Sequence, residues 1–175
     1  MHIAHVTYGL GMGGIETMLV NISREQAAAG HQVHVIVLND IVEKSLARQI
    51  GEGVNLHLLG RPCGSYNPIY IIRMNRLLKS LNADVIHLHY SSLSRYLFYP
   101  ALKRRMCVTL HELFRPEVVK RLDRSGPVFA ISDMVRDDIA SKLGLEATTV
   151  YNGIYPEQLR RRPSDRKPSS PFTIV

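Results

Sequence analysis

Cysteine is scarce in this sequence: Cys63 and Cys107 are the only two, they form no CxxC pair, and neither has a cluster of candidate ligands beside it. That argues against a disulfide framework or a thiolate metal centre and predicts two reduced thiols, at least one of them core filler. Long apolar runs are missing too. No stretch approaches the roughly 18 consecutive apolar residues that a membrane-spanning helix needs, and the first residues, MHIAHVTYG, show no basic leader ahead of an apolar run. The expected location is the cytoplasm. Acids are outnumbered, with a formal net charge of +7, and most sharply between Arg73 and Arg105. There Arg73, Arg76, Lys79, Arg95, Lys103, Arg104 and Arg105 are set against Asp84 alone, so this face is expected to be positive. A basic face invites nucleic acid, but no reading helix or aromatic stacking motif is recognisable, which argues against a nucleic-acid module.

What the sequence does have is the length and composition of one ordinary domain, 175 residues with 45% hydrophobic, and a steady alternation of strand and helix patterns. His2 to Tyr8, Gln32 to Leu38, Val54 to Leu59, Asp84 to His89, Met106 to His111, Pro127 to Ile131 and Thr148 to Tyr151 read as seven strands. Between them, Ile15, Met18, Leu19 and Ile22 recur at helical spacing until Gly30, and Ile71, Met74, Leu78 and Leu81 mark another buried stripe behind Asn67 and Pro68, read as cap and first helical residue. A less defined helix is expected over Ile41 to Ile50. Strands separated by helices pair in parallel, and a parallel sheet is covered on both faces, so the expected fold is α/β, a doubly wound Rossmann-like sheet of about seven strands. Ligands of such folds bind at the carboxyl ends of the strands, here Tyr8 to Glu16, His87 to Ser92, His111 to Phe114, Ser132 and Asn152-Gly153. The domain is expected to occupy residues 1–155. Residues 156–171, rich in proline and carrying Arg160, Arg161 and Arg162, read as a linker, and the FTIV of residues 172–175 reads as the first strand of a second domain.

Gly9, Gly11 and Gly14 satisfy GxGxxG between a strand and a helix, and Asp40 ends the second strand. This is close to the fingerprint of a nicotinamide-dinucleotide site, and an NAD-binding oxidoreductase domain is the rival it invites. The loop supplies backbone N–H groups at a helix N-terminus with no side chains in the way, which suits any phosphate or diphosphate. A tight turn without a ligand would read the same.

The fuller pattern separates these readings. GMGGIETML, with Glu16 two residues after the paired glycines, is followed in order by DVIHLHY (Asp84 to Tyr90), VTLHEL (Val108 to Leu113), VFAISDMVRDDI (Val128 to Ile139) and TVYNGIY (Thr149 to Tyr155). Together these resemble the N-terminal domain of glycosyltransferase family 4. The resemblance implies half of a GT-B fold, two Rossmann-like domains facing across a cleft, with the acceptor held mainly by the first domain and the donor by a missing second one. It implies a retaining transfer from a nucleotide sugar, with no cofactor beyond that co-substrate and usually no metal, to a glycan, lipid-linked or other hydroxyl acceptor.

The resemblance also assigns residues. Gly13 and Gly14 inherit backbone contacts near the donor phosphates or the acceptor. His111 matches the histidine that contacts the transferring sugar, a role of positioning and polar stabilisation rather than nucleophilic attack. Asn152 and Gly153 fall at the hinge, where an ordinary turn pair would look the same. Glu16 fits three roles: orienting the loop, meeting a polar acceptor group, or a first-turn acid favoured by the helix dipole. His87 and His89 lie two apart and so share one face of a strand, a spacing a metal would accept, but no third ligand is evident in the sequence. His89, closer to the strand end, is preferred for acceptor binding, and His2, His5, His31, His34 and His57 read as structural. Ser132 is placed both to cap the following helix and to face the cleft. Finally, the basic segment with Tyr96, Phe98 and Tyr99 reads either as a solvated face over a core helix or as contact with an anionic membrane carrying a lipid-linked acceptor.

Overall fold

The structure, a computed structural model, describes residues 1–113, 122–123 and 125–153. Seven strands are present: β1 (His2–Thr7), β2 (Gln32–Asn39), β3 (Val54–Arg61), β4 (Val85–Leu88), β5 (Met106–Leu110), β6 (Val128–Ala130) and β7 (Thr148–Thr149). They form one sheet in the order β3-β2-β1-β4-β5-β6-β7, and every neighbouring pair is parallel. The chain starts in the middle, steps outward to β3, then crosses back to β4 and steps the other way. This is the doubly wound topology expected from the alternation, and its switch point lies between β1 and β4.

Two apolar layers sandwich the sheet. On one face Val35 and Val37 of β2 meet Leu19 and Val20 of α1 (Gly14–Ala28) and Leu46 of α2 (Lys44–Gln49). On the other, Ala4, Val6, Ile36, Ile86 and Leu88 meet Met74 and Leu78 of α3 (Ile69–Leu81), followed by Leu93 and Leu97, Leu102 of α4 (Pro100–Lys103), and Val135 and Ile139 of α5 (Asp133–Leu143). Met74 and Leu78 are fully buried, each such side chain contributing roughly 1.5–3 kcal/mol of transfer free energy. Because strand side chains alternate, the residues between the apolar positions of β1, β4 and β5 share the α1 side of the sheet. There they are polar: His5 is in register with His87, and His87 with Cys107.

Element ends differ from expectation for identifiable reasons. The helix expected from Ile41 begins only at Lys44, because Leu10 N–H donates to Ile41 O (2.8 Å), Val42 bridges to Leu10, and Glu43 caps the helix through Ser45 N (3.2 Å). Helix α3 begins at Ile69 rather than Pro68, and Asn67 Oδ1 accepts from Ile69 N at 3.0 Å. Asn75 is a polar residue inside the apolar stripe of α3. It is fully buried and its amide is fully used, donating to Tyr96 O and Ile71 O and accepting from Phe98 N. This fixes the segment after β4 against α3, including the 3-10 turn Ser91–Tyr96.

The basic segment is divided among several jobs. Lys103 pairs with Asp123, Arg105 donates to Asn82 Oδ1 and Ala83 O, and Lys79 lies over the Tyr99 ring. Of the three aromatics, Phe98 is exposed, while Tyr96 and Tyr99 pack partly against the core. Cys63 is exposed and Cys107 half-buried, both free thiols. Phe114, the expected linker over 156–171 and the expected strand over 172–175 lie outside the described residues.

Candidate functional site at the carboxyl edge of the sheet

The loop from Tyr8 to Gly13 and the loop from His89 to Tyr96 leave neighbouring strands at the switch point, and three side-chain bonds tie the second loop to the first and to the β1 and α1 residues that flank it. Tyr8 Oη and Ser92 Oγ are 2.8 Å apart, the Tyr90 hydroxyl donates to Glu16 Oε1 at 3.2 Å, and His5 Nδ1 and His89 Nε2 are 3.0 Å apart. The Tyr8 and Tyr90 rings lie at 5.2 Å, and Arg61, arriving from the end of β3, sits over Tyr8 at 5.7 Å. Burial and the neighbouring Glu16 charge push the Tyr90 hydroxyl up to about 12, so it remains a donor.

The glycine loop divides in two. Its first half is packed away: a Cβ at Gly9 would stand 3.3 Å from Ile41 O, and Leu10 is fully buried. Its second half is open, with Met12 82% exposed and nothing within 4 Å of a Cβ built at Gly14. Gly13, at the N-cap of α1 in extended conformation, has no side-chain cap. Glu16 folds back over it, so that a Cβ at Gly13 would lie 2.4 Å from Glu16 Oε2. A carboxylate near the positive end of a helix is favoured by the dipole, and an incoming phosphate would compete with it for the same backbone donors. The clash in Gly13→Ala is with the far end of a flexible side chain. That variant is expected to fold with a stability change within about 1 kcal/mol by urea denaturation, because Glu16 swings aside, and a much larger loss would show that the fold requires Glu16 in this position.

Asp40, the acid the nicotinamide reading needs at the end of β2, is engaged elsewhere: its Oδ1 accepts from Cys63 N at 3.2 Å, and Ile41 beside it closes over Gly9. The first half of the loop thus serves packing between the turns after β1 and β2.

His111 stands directly after β5, half-buried, with its ring centroid 5.8 Å from that of His89. Burial lowers it to about 4, so it is neutral near pH 7, and its Nε2 has no partner. His89 is 1% exposed, held well below its ordinary value by burial and then by His87, and its Nδ1 also lacks a partner. The structure therefore brings His89 and His111 together. His5, read from the sequence as structural, belongs to the same cluster: it and His87 and His89 each place a ring nitrogen within 4.8 Å of the others. This corrects the expectation that His87 and His89 lack a third neighbour; the missing neighbour is 84 residues from His89 in sequence, on the adjacent strand β1.

Ser132 does cap α5, its Oγ accepting from Val135 N at 3.3 Å, and Ser132→Ala should cost about 1 kcal/mol of thermodynamic stability, measurable by urea denaturation. The residue after it was not singled out by the sequence. Asp133 accepts from Tyr151 Oη at 2.7 Å, Thr149 Oγ1 at 2.8 Å and Arg136 Nη1 at 2.6 Å, and so fixes the strand end that leads into Asn152 and Gly153, both exposed. A cavity of about 520 Å³ lined by Arg24, Arg48 and Gly53 lies at the opposite edge of the sheet and collects none of these residues.

Residues 12–158 match the Glycosyltransferase Family 4 profile. The chain belongs to that family. A glycosyltransferase from Rickettsia africae superposes with a TM-score of 0.67 at 17% identity, covering 95% of this chain and 46% of its own. Anabaena HepE, solved in complex with UDP and glucose, superposes with a TM-score of 0.68 at 18% identity, covering 93% and 47%. At such identity the two share the fold, and the chain spans slightly less than half the length of each. No curated protein matches it in sequence. The family 4 match includes Gly13, Gly14, Glu16, His89, His111, Ser132, Asn152 and Gly153.

Proposed function

We propose that this chain is the acceptor-side half of a glycosyltransferase that moves a sugar from a nucleotide-sugar donor to a hydroxyl of a glycan or lipid-linked acceptor, with retention of configuration. The observation that carries the reading is the convergence, at the switch point of a family 4 domain, of an open glycine turn at a helix N-terminus with the neutral histidines His111 and His89. The UDP and glucose held by Anabaena HepE support the choice of a nucleotide sugar as donor. In this reading the N–H groups of Gly13 and Gly14 approach the donor phosphates or the acceptor once Glu16 moves aside. Tyr90, held protonated, keeps Glu16 in place until then. His111, neutral and with its Nε2 buried and unengaged, turns that nitrogen toward the sugar and offers a polar contact where charge develops as the sugar leaves its phosphate, without forming a covalent bond to it. Ser132 lines the cleft as it caps α5, and Asn152-Gly153 forms the hinge to a second domain that holds the base and ribose of the donor.

The test is His111→Ala in the complete two-domain enzyme. Turnover is expected to fall by about 100-fold or more with donor affinity nearly unchanged, because the contact strengthens in the transition state. Turnover within a factor of about two of wild type would return His111 to a structural role. Residues 1–175 alone are expected to transfer no sugar, since closing the cleft on the donor requires the second domain. Exposed Phe98 and the basic residues around it support a proposed location at the cytoplasmic face of an anionic membrane. Cosedimentation with anionic but not neutral vesicles would be the expected result, and equal cosedimentation with both would remove the proposal.

A further inference from the structure

Sugar transfer accounts for His89 at the edge of the cleft but not for His5 and His87 behind it. His5 and His87 lie below the cleft on the α1 side of the sheet, brought together by the β1–β4 register. His5 Nδ1 and His89 Nε2 face each other at 3.0 Å, and His5 and His87 are each held by a further partner. His5 Nε2 donates to Gln26 Oε1 at 2.7 Å, His87 Nε2 lies 2.7 Å from Thr109 Oγ1, and His89 Nδ1 is buried without a partner. A ligand histidine whose second nitrogen is bonded to a carbonyl or hydroxyl is oriented for a metal, and Gln26 and Thr109 stand in that position.

We propose that His5, His87 and His89 form a site for a zinc-type transition ion that clamps β1 to β4. Three imidazoles with no carboxylate among them suit zinc, cobalt or copper and not the oxygen-seeking magnesium or calcium. In tetrahedral zinc coordination ligand nitrogens stand roughly 3.3 Å apart. His5 Nδ1 and His89 Nε2 are already at 3.0 Å, and one ring nitrogen of each of the three histidines lies within 4.8 Å of the others, so a small contraction of the group closes the site. The proton now shared between those two nitrogens moves to His89 Nδ1, leaving both lone pairs for the ion with no net change in protonation. Half-buried His87 marks the side from which a water completes the fourth position.

The experiment is calorimetric titration of the untagged, metal-free 175-residue chain with zinc and, separately, with cobalt(II), followed in the visible spectrum. One equivalent is expected to bind, the cobalt form showing the intense visible bands of a tetrahedral centre. His87→Gln should weaken binding at least tenfold, whereas His57→Gln, which breaks the His34–His57 pair on the other face of the sheet, should leave it unchanged. Absence of binding at millimolar zinc, or binding that survives His87→Gln and disappears in His57→Gln, overturns the site. Because His5→Gln risks the fold itself, the second measurement is the melting temperature: zinc should raise it in wild type and not in His87→Gln, and equal shifts in the two would overturn the clamp. None of these readouts involves sugar transfer, so failure of this site and failure of the transferase reading are separate results.

Discussion

Replacing Gly126 with alanine is expected to destabilise the domain by about 3 kcal/mol or more, a large part of the 5–15 kcal/mol typical of a folded domain. A Cβ built there would stand 2.0 Å from Met106 O and 3.0 Å from the carbonyl carbon of Met106. These are backbone atoms of β5, and no rotamer change relieves the contact. The approach is close because Val108 N–H donates to Pro127 O at 3.0 Å, which seats the start of β6 directly against β5. Separating the two segments enough to admit a methyl group would strain that bond and loosen Val128 from the core, where it packs with Met106 and Val108. Urea denaturation should report a lower midpoint at an unchanged slope. A loss under about 1 kcal/mol would mean that the two strands are further apart than the structure places them. At Gly13, by contrast, the obstructing atom is the end of the flexible Glu16 side chain.

Gly126 also shows where reading the sequence stops. A glycine before Pro127 reads as a turn, and its sequence neighbours contain nothing about the β5 carbonyl it must approach. Local patterns were enough for the seven strands and the doubly wound class, because apolar periodicity is imposed residue by residue by burial on one face or both. They were also enough to place His111 directly after β5 and Ser132 at the N-cap of α5. Pairings between distant segments were beyond them. His5 is an unremarkable residue of a short apolar strand until β4 is placed beside β1, and the same adjacency makes Tyr8 meet Ser92 and Tyr90 meet Glu16. Asp133 is an ordinary first-turn acid until Thr149 and Tyr151 reach it from the edge of the sheet. In the α3 stripe, Asn75 breaks the apolar pattern, and that break was a signal: a buried amide in such a position must find partners, and it finds them in the segment after β4.

Acidification of the metal-free chain is expected to remove much of its stability between pH 6.5 and about pH 5, above the range in which carboxylates titrate. Burial lowers His5 to about 4, His87 to about 3, and His89 further below its ordinary value. In the unfolded chain each titrates near 6.5. Below that pH the unfolded state binds protons that the folded state refuses, so stability is fully present above about 6.5 and is lost as pH falls toward the folded values. Each such histidine contributes a slope of up to about 1.4 kcal/mol per pH unit. For fully buried His5 alone this amounts to about 3 kcal/mol by pH 4, and His89, also held below its ordinary value by burial, adds to the loss in the same direction. The rings cannot take up protons independently. His87 adjoins His5 in register, its ring centroid lies 4.3 Å from that of His89, and the first imidazolium formed would repel the next. The side chains outside the cluster that are bonded to these rings are neutral, Gln26 on α1 and Thr109 on β5. The carboxylates held low by their own partners, Asp123 by Lys103 and Ser125 and Asp133 by Tyr151 and Thr149, lose their contribution as pH falls from the ordinary carboxylate value toward their lower folded values, which leaves the window above about pH 5 to the histidines. Urea unfolding free energies measured in chelator from pH 7.5 to 4.5 should therefore fall steeply below 6.5, and His87→Gln should make the fall shallower by about one proton's worth of slope. A flat profile down to pH 5 would mean that the cluster takes up protons while folded, and that the rings are better hydrated than their burial between β1, β4 and α1 allows.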